Sequence, residues 1–126
     1  MKILVVDDEE NIRKLVKYNL ILDGFEVVLA VDGKDGLEKA VSEKPDLILL
    51  DIMMPEIDGL EVCSRLKKNP DTRDIPIFML SAKGQMQDLE DAYEIGADNY
   101  ITKPFDVEKL SEIIMFKLNK MKNKQV

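Results

Sequence analysis

Four short stretches bearing polar groups each follow a strand-like segment: Asp7-Asp8 after KILVV, Asp51 after LILL, Ser81-Ala82-Lys83 after IFML, and Lys103-Pro104 after NYIT. Carboxylates, a hydroxyl and an amine form a complementary set if the chain brings them together. Two carboxylates ~4 Å apart repel by roughly 4 kcal/mol at an effective dielectric of about 20. Here Asp7, Asp8 and Asp51 would converge on one lysine, which cannot balance them, so a divalent cation is the natural addition. An all-oxygen donor set selects a hard cation. Mg2+ suits it better than Ca2+, because Mg2+ is held by few carboxylates and keeps sites for water and phosphate, whereas Ca2+ needs a dedicated loop such as an EF-hand, which this sequence lacks. A Mg2+ site with Asp51 at its centre and Lys103 and the Ser81 hydroxyl beside it suits phosphoryl transfer to the carboxylate. Metal and lysine offset charge on the phosphoryl oxygens, the serine donates a hydrogen bond, and the aspartate attacks in line.

Each group alone has an ordinary explanation. Aspartates after a strand cap helices, Asp51 could open a turn, Ser81 could cap the next helix, and Lys103 could be a solvated surface lysine. What decides is the order of the elements that carry them. Lys2 to Val6 reads as a buried strand, and Ile12, Leu15, Val16 and Leu20 then recur at helical spacing up to Asp23-Gly24. Phe25 to Ala30 is a second strand, and Leu37, Ala40 and Val41 mark the inner stripe of a second helix that stops before Pro45. Asp46 to Leu50 is the third strand, an apolar run bounded by turn residues as in a parallel sheet covered on both faces. Gly59 to Lys68 is a third helix with Leu60, Cys63 and Leu66 inward. Pro76 opens a fourth strand, Ile77 to Leu80, where an initial proline is tolerated, and a helix from about Gln85 to Ile95 ends at Gly96. Asn99 to Thr102 is the fifth strand, and Asp106 to about Met121 a last helix with Val107, Leu110, Ile113, Ile114, Leu118 and Met121 on one face.

Five strands alternating with five helices imply an α/β fold, and the right-handed crossover rule favours a flavodoxin-like, doubly wound parallel sheet of order 2-1-3-4-5. In that order the ends of the first, third, fourth and fifth strands lie side by side, at the carboxyl edge where such sheets bind ligands. Four complementary groups then share one place, and the functional reading overtakes the ordinary ones.

Composition narrows the partners. With 126 residues the chain makes one domain with a real core, and it has 25 acidic against 18 Lys and Arg residues, a formal charge of -7. An acidic surface argues against direct contact with nucleic acid, whose phosphates are bound by basic faces. The lysines of KLNKMKNKQV complement a helix dipole or solvate a terminus; residues 122–126 read as a short basic tail or linker remnant after a unit spanning 1–121. Histidine is absent, which excludes histidine catalysis and phosphodonation, and the single cysteine, Cys63, reads as a small core residue rather than a reactive thiol. MKILVVDDEE is too short and too soon acidic for a signal peptide, and no run approaches a membrane span, so a cytoplasmic setting without membrane contact is expected.

The motifs VVDDEE at 5–10, LDIMMPEIDG at 50–59, MLSAKG at 79–84 and ITKPF at 101–105 resemble, in order and spacing, the receiver domain of bacterial two-component response regulators. The resemblance covers essentially the whole chain. It implies that Asp51 is the phosphoacceptor and that Asp8, Asp51 and the backbone carbonyl of Met53 hold Mg2+ directly, with Asp7 acting through water. Ser81 occupies the switch hydroxyl position and Lys103 that of the lysine contacting the phosphoryl group, while Pro104 matches a proline that follows a cis peptide bond. Tyr100 would be the switch aromatic, turning inward when Ser81 moves; from spacing alone a half-buried strand aromatic is as good a reading. Met53 and Lys83, two residues beyond Asp51 and Ser81, would flank the access of water and tune the lifetime of the phosphoryl group. The implied function is a phosphorelay module: a sensor histidine kinase hands a phosphoryl group to Asp51, and the face of the fourth helix, fifth strand and fifth helix changes its affinity for an output domain or target. The resemblance also admits a phosphorylation-dependent homodimer. Beyond its own phosphorylation and dephosphorylation the module would turn over no substrate.

Of three further readings, two fit less well and one stays open. A haloacid dehalogenase-type phosphatase places DxD after the first strand and needs a cap, whereas here the two acids are adjacent and the central Asp51 follows the third strand. A flavin carrier must cradle phosphate in its first loop, but DDEE repels phosphate without a metal, and the dinucleotide glycine fingerprint is absent. The chain could also be the amino-terminal piece of a DNA-binding regulator; nothing after Met121 can form an effector, so as it stands it reads as stand-alone or excised.

Overall fold

A computed structural model describes residues 1–82 and 84–124. The elements run β1 (Lys2–Val6), α1 (Glu10–Leu22), β2 (Glu26–Ala30), α2 (Gly33–Glu43), β3 (Leu47–Asp51), α3 (Gly59–Lys68), β4 (Ile77–Ala82), α4 (Met86–Ile95), β5 (Asn99–Lys103) and α5 (Leu110–Lys124). All pairings are parallel, in the order β2-β1-β3-β4-β5. The expected doubly wound architecture is therefore the one found.

Its cause is the strand composition. Every residue of β3 is buried, so the sheet must be covered on both faces. Alternation divides the strands: Val6, Leu50 and Met79 pack toward the layer of α2, α3 and α4, while Val5, Leu49 and Leu80 pack toward α1 and α5. Each such side chain contributes roughly 1.5–3 kcal/mol on burial. Aspartates start two of the helices, Asp32 accepting from the Asp35 N–H at 2.8 Å and Asp58 from the Glu61 N–H at 2.9 Å.

The strand ends differ from the sequence expectation in a way that matters. β3 runs through Asp51, β4 through Ala82 and β5 through Lys103. Asp51 is in register with Leu80, Ser81 with Thr102 and Ala82 with Lys103. Asp51, Ser81 and Lys103 thus sit on the final ladder positions of their strands, with Asp7 and Asp8 just beyond β1, and the sheet fixes the spacing of the first three.

Two inner stripes need correction, and a third holds with one residue added. Leu15, expected inward, is 49% exposed, while Val16 and Leu20 are buried and Ile12 packs half-buried beside them. Val41 is 41% exposed, and its place on the inner face of α2 is taken by Gly33 and Gly36. In α3 the inner face includes Val62 with Cys63 and Leu66. Adjacent residues are 100° apart on a helix, so of Leu15 and Val16, or Ala40 and Val41, only one can centre on the sheet. The last helix is also redrawn. A 3-10 turn, Val107–Lys109, precedes α5, with Asp106 accepting from the Glu108 N–H, and the helix continues past Met121 to Lys124. Among the described residues no helix is long and apolar enough to cross a membrane.

Candidate functional site

Asp7, the first residue after β1, is fully buried and has every acceptor engaged. Its Oδ1 accepts from the Glu9 N–H at 2.9 Å, its Oδ2 from Lys103 Nζ at 2.8 Å, and its carbonyl from Arg13 Nη1 at 2.7 Å. Lys103 also lies 3.4 Å from Asp51 Oδ2. Asp7, Asp8 and Asp51 each offer a carboxylate oxygen, all within 4.8 Å of one another. Asp8 is the exposed member and Asp51 is 5% exposed, so the cluster opens to solvent on one side.

The electrostatics are unbalanced. Burial pushes the Asp51 carboxyl up and the Asp7 charge adds to it; Lys103 and a backbone hydrogen bond from Met53 pull the other way but leave it at about 6. Burial works against the Lys103 ammonium, yet its hydrogen bond to Asp7 and the charges of Asp51 and Asp7 outweigh that, and its pKa is raised. Three converging carboxylates on one amine form a hard, all-oxygen donor set short of positive charge, and a small divalent cation fits it.

The backbone behind the site is tightly packed. A Cβ on Gly59 would collide with the Asp51 carbonyl oxygen and stand 2.7 Å from Ile52 Cα, and the Gly59 N–H donates to the Ile52 carbonyl at 2.8 Å. Only glycine lets α3 start this close to Asp51. In the sequence Gly59 marks only the start of α3; the DG pair after a carboxylate-ended strand is the signal of its closer role. Arg13 carries no such signal, because an arginine on an amphipathic helix looks solvated in the sequence.

The remaining expected residues fall on both sides of the sheet. Ser81 is 1% exposed, but among the described residues no hydrogen bond joins it to the carboxylates or to Lys103. The ladder pairs Ser81 with Thr102 and Met79 with Tyr100, so Ser81 and Tyr100 share the α4 side, opposite the side of Leu80 and Ile101. Tyr100 is 37% exposed, edge-on to Tyr93 of α4 at 6.3 Å between ring centroids, with Lys117 Nζ 5.3 Å from its ring. The Lys103-Pro104 bond is cis. Met53 is 64% exposed beside Asp51. Lys83 lies outside the described residues. Cys63 is buried in the core, where burial pushes its thiol up to about 11.

Comparisons with known proteins converge. The family model for the response regulator receiver domain matches residues 3–115. The DNA-binding dual master transcriptional regulator RpaA of Synechocystis is 50% identical over 109 residues, covering 86% of this chain and 45% of that protein. The alkaline phosphatase synthesis transcriptional regulatory protein PhoP of Bacillus subtilis is 49% identical over 110 residues, covering 87% and 45%. The chain spans about half the length of these relatives. Among solved structures, Vibrio cholerae chemotaxis protein CheY4 superposes with a TM-score of 0.85 at 32% identity, covering 90% of this chain and 95% of that one. NtrX of Brucella abortus gives 0.87 at 33% identity, covering 98% and 28%. None of this supports a haloacid dehalogenase-type phosphatase.

Proposed function

The chain belongs to the response regulator receiver domain family, and from that premise we propose that it is a phosphorelay module whose Asp51 accepts a phosphoryl group from a sensor histidine kinase. The observation that carries the reading is the carboxyl-edge cluster, three carboxylates within 4.8 Å and one lysine bonded to two of them. Asp8, Asp51 and the Met53 carbonyl would hold Mg2+ directly, with Asp7 through water. When bound, the ion neutralises charge on the phosphoryl oxygens and on the carboxylates.

The chain's own groups do the rest. An Asp51 Oδ attacks phosphorus in line as the bond to the donor's histidine nitrogen breaks. Lys103, aimed by its bond to Asp7, offsets charge on the transferred group. Ser81 and Tyr100 share one side of neighbouring strands, so movement of the hydroxyl toward the phosphoryl group would free space for Tyr100 to leave Tyr93 and turn inward. The face of α4, β5 and α5 would thereby change its affinity for a target, or for a second phosphorylated copy. The only reactions catalysed would be the module's own phosphorylation and dephosphorylation, with Met53 and Lys83 tuning the latter. Residues 1–121 would form the receiver unit, working in the cytoplasm. The names of RpaA and PhoP point to transcriptional control as the output, with the acidic receiver, charge -7, not itself the nucleic-acid contact.

Incubation with Mg2+ and a small phosphodonor such as acetyl phosphate, followed by intact-mass measurement, tests the reading. A single phosphoryl adduct that vanishes in Asp51→Asn is expected. Absence of an adduct from any small donor, with Mg2+ shown to bind, overturns it.

A further inference from the structure

Asp8 is the exposed member of the carboxylate cluster, and among the described residues no side-chain hydrogen bond holds it. A closed ring of bonds surrounds it instead. Asp7 Oδ1 accepts from the Glu9 N–H at 2.9 Å, the Glu9 carbonyl accepts from the Arg13 N–H at 3.1 Å, and Arg13 Nη1 returns to the Asp7 carbonyl at 2.7 Å. That carbonyl belongs to the Asp7-Asp8 peptide unit, whose plane Arg13 therefore fixes. The carboxylate of Asp8 is left free, while the backbone carrying it is held from both sides.

We propose that Arg13 is a positioning residue for the divalent cation, acting on the Asp7-Asp8 peptide without touching the ion; this rests on the reading of the cluster as a Mg2+ site. The guanidinium is suited to the task. It stays charged, and its charge-assisted bond is short and directional. Because it spends that bond on a main-chain carbonyl, and among the described residues no ion pair joins it to Asp7, Asp8 or Asp51, it orients the site while leaving the carboxylate oxygens open to a metal. A cation paired to Asp8 itself would compete with the metal.

Support for metal ligands from surrounding hydrogen bonds is typically worth about 10–100-fold in affinity. Calorimetric titration of MgCl2 into the folded protein should show Arg13→Met binding Mg2+ at least about tenfold more weakly than the parent, with Arg13→Lys recovering most of the loss. Acetyl phosphate labelling should need correspondingly more Mg2+ for its half-maximal rate and reach the same plateau. Lys67→Met, which removes cation-to-carbonyl bonds at the opposite edge of the sheet, is the control for mere loss of stability and should leave Mg2+ affinity unchanged. Binding by Arg13→Met within twofold of the parent, or equal weakening in Lys67→Met, overturns the proposal. If the parent binds no Mg2+, or Asp8→Asn binds it as well as the parent, the metal-site reading itself fails.

Discussion

Two lysines, one at each edge of the sheet, are equally enclosed: the side chains of Lys67 and Lys103 are both 16% exposed, and both pair with aspartate. Their surroundings differ in charge balance. At the amino edge Lys67 meets one carboxylate, Asp98, at 3.2 Å and spends its other donors on the Arg73 and Ile75 carbonyls. Asp98 in turn accepts from the Ile77 N–H at 2.8 Å. Every charge there has its partner, and the knot ties the loops before β4 and β5 to the sheet. At the carboxyl edge Lys103 faces Asp7 and Asp51, with Asp8 beside them. Burial with too little positive charge costs stability and marks a place for a ligand.

Asp→Ala and Asp→Asn substitutions should therefore act with opposite sign at the two edges. The largest effect is expected from Asp98→Ala, which leaves the Lys67 ammonium and the Ile77 N–H short of an acceptor. It should lower unfolding free energy by about 3 kcal/mol in chemical denaturation. A loss below about 1 kcal/mol would mean that the amino-edge knot is ornamental.

Asp51→Asn should instead stabilise the metal-free protein, by about 2 kcal/mol at pH 7. A carboxyl raised from 3.8 to about 6 binds its proton more tightly folded than unfolded, so its contribution to stability is favourable below about pH 4 and lost as pH rises through 6. In EDTA the parent should lose stability across that window, and Asp51→Asn should show a flatter profile. Equal slopes would show that the carboxylate is not strained by its site.

The smallest effect is expected from the metal. At tenfold Kd, Mg2+ should stabilise the parent by about 1.4 kcal/mol through mass action. Asp98→Ala should retain that increment and Asp51→Asn should lose most of it, as read by thermal melts with and without EDTA. An increment preserved in Asp51→Asn would place the ion elsewhere.

Much of the fold was legible because buried parallel strands announce themselves. LILLD, KILVV and IFML are apolar runs cut off by polar residues, and the site residues lie at the cuts. Helix faces were less legible. Leu15 and Val41 carry the right hydrophobicity for the core yet stand at the edge of their stripes, and which edge meets the sheet depends on the docking angle. The amino-edge knot was invisible: Lys67 and Asp98 are 31 residues apart, and each alone looks like a surface charge. Gly59 shows only its local role in the sequence and Arg13 shows none, since close backbone approach and a bond across a loop leave no periodic trace.

The sequence by itself determined which residue types exist for chemistry, that strands alternate with helices, and that Asp7, Asp51, Ser81 and Lys103 all fall at strand ends. These are local properties, set by burial period and by where apolar runs stop. Only the tertiary structure decided that Lys103 bonds Asp7 at 2.8 Å and lies 3.4 Å from Asp51, that Ser81 and Tyr100 share the other side of the sheet, and that Asp51 is raised to about 6. Those depend on distance and on exclusion of water, which arise when parallel strands from distant parts of the chain come to lie side by side.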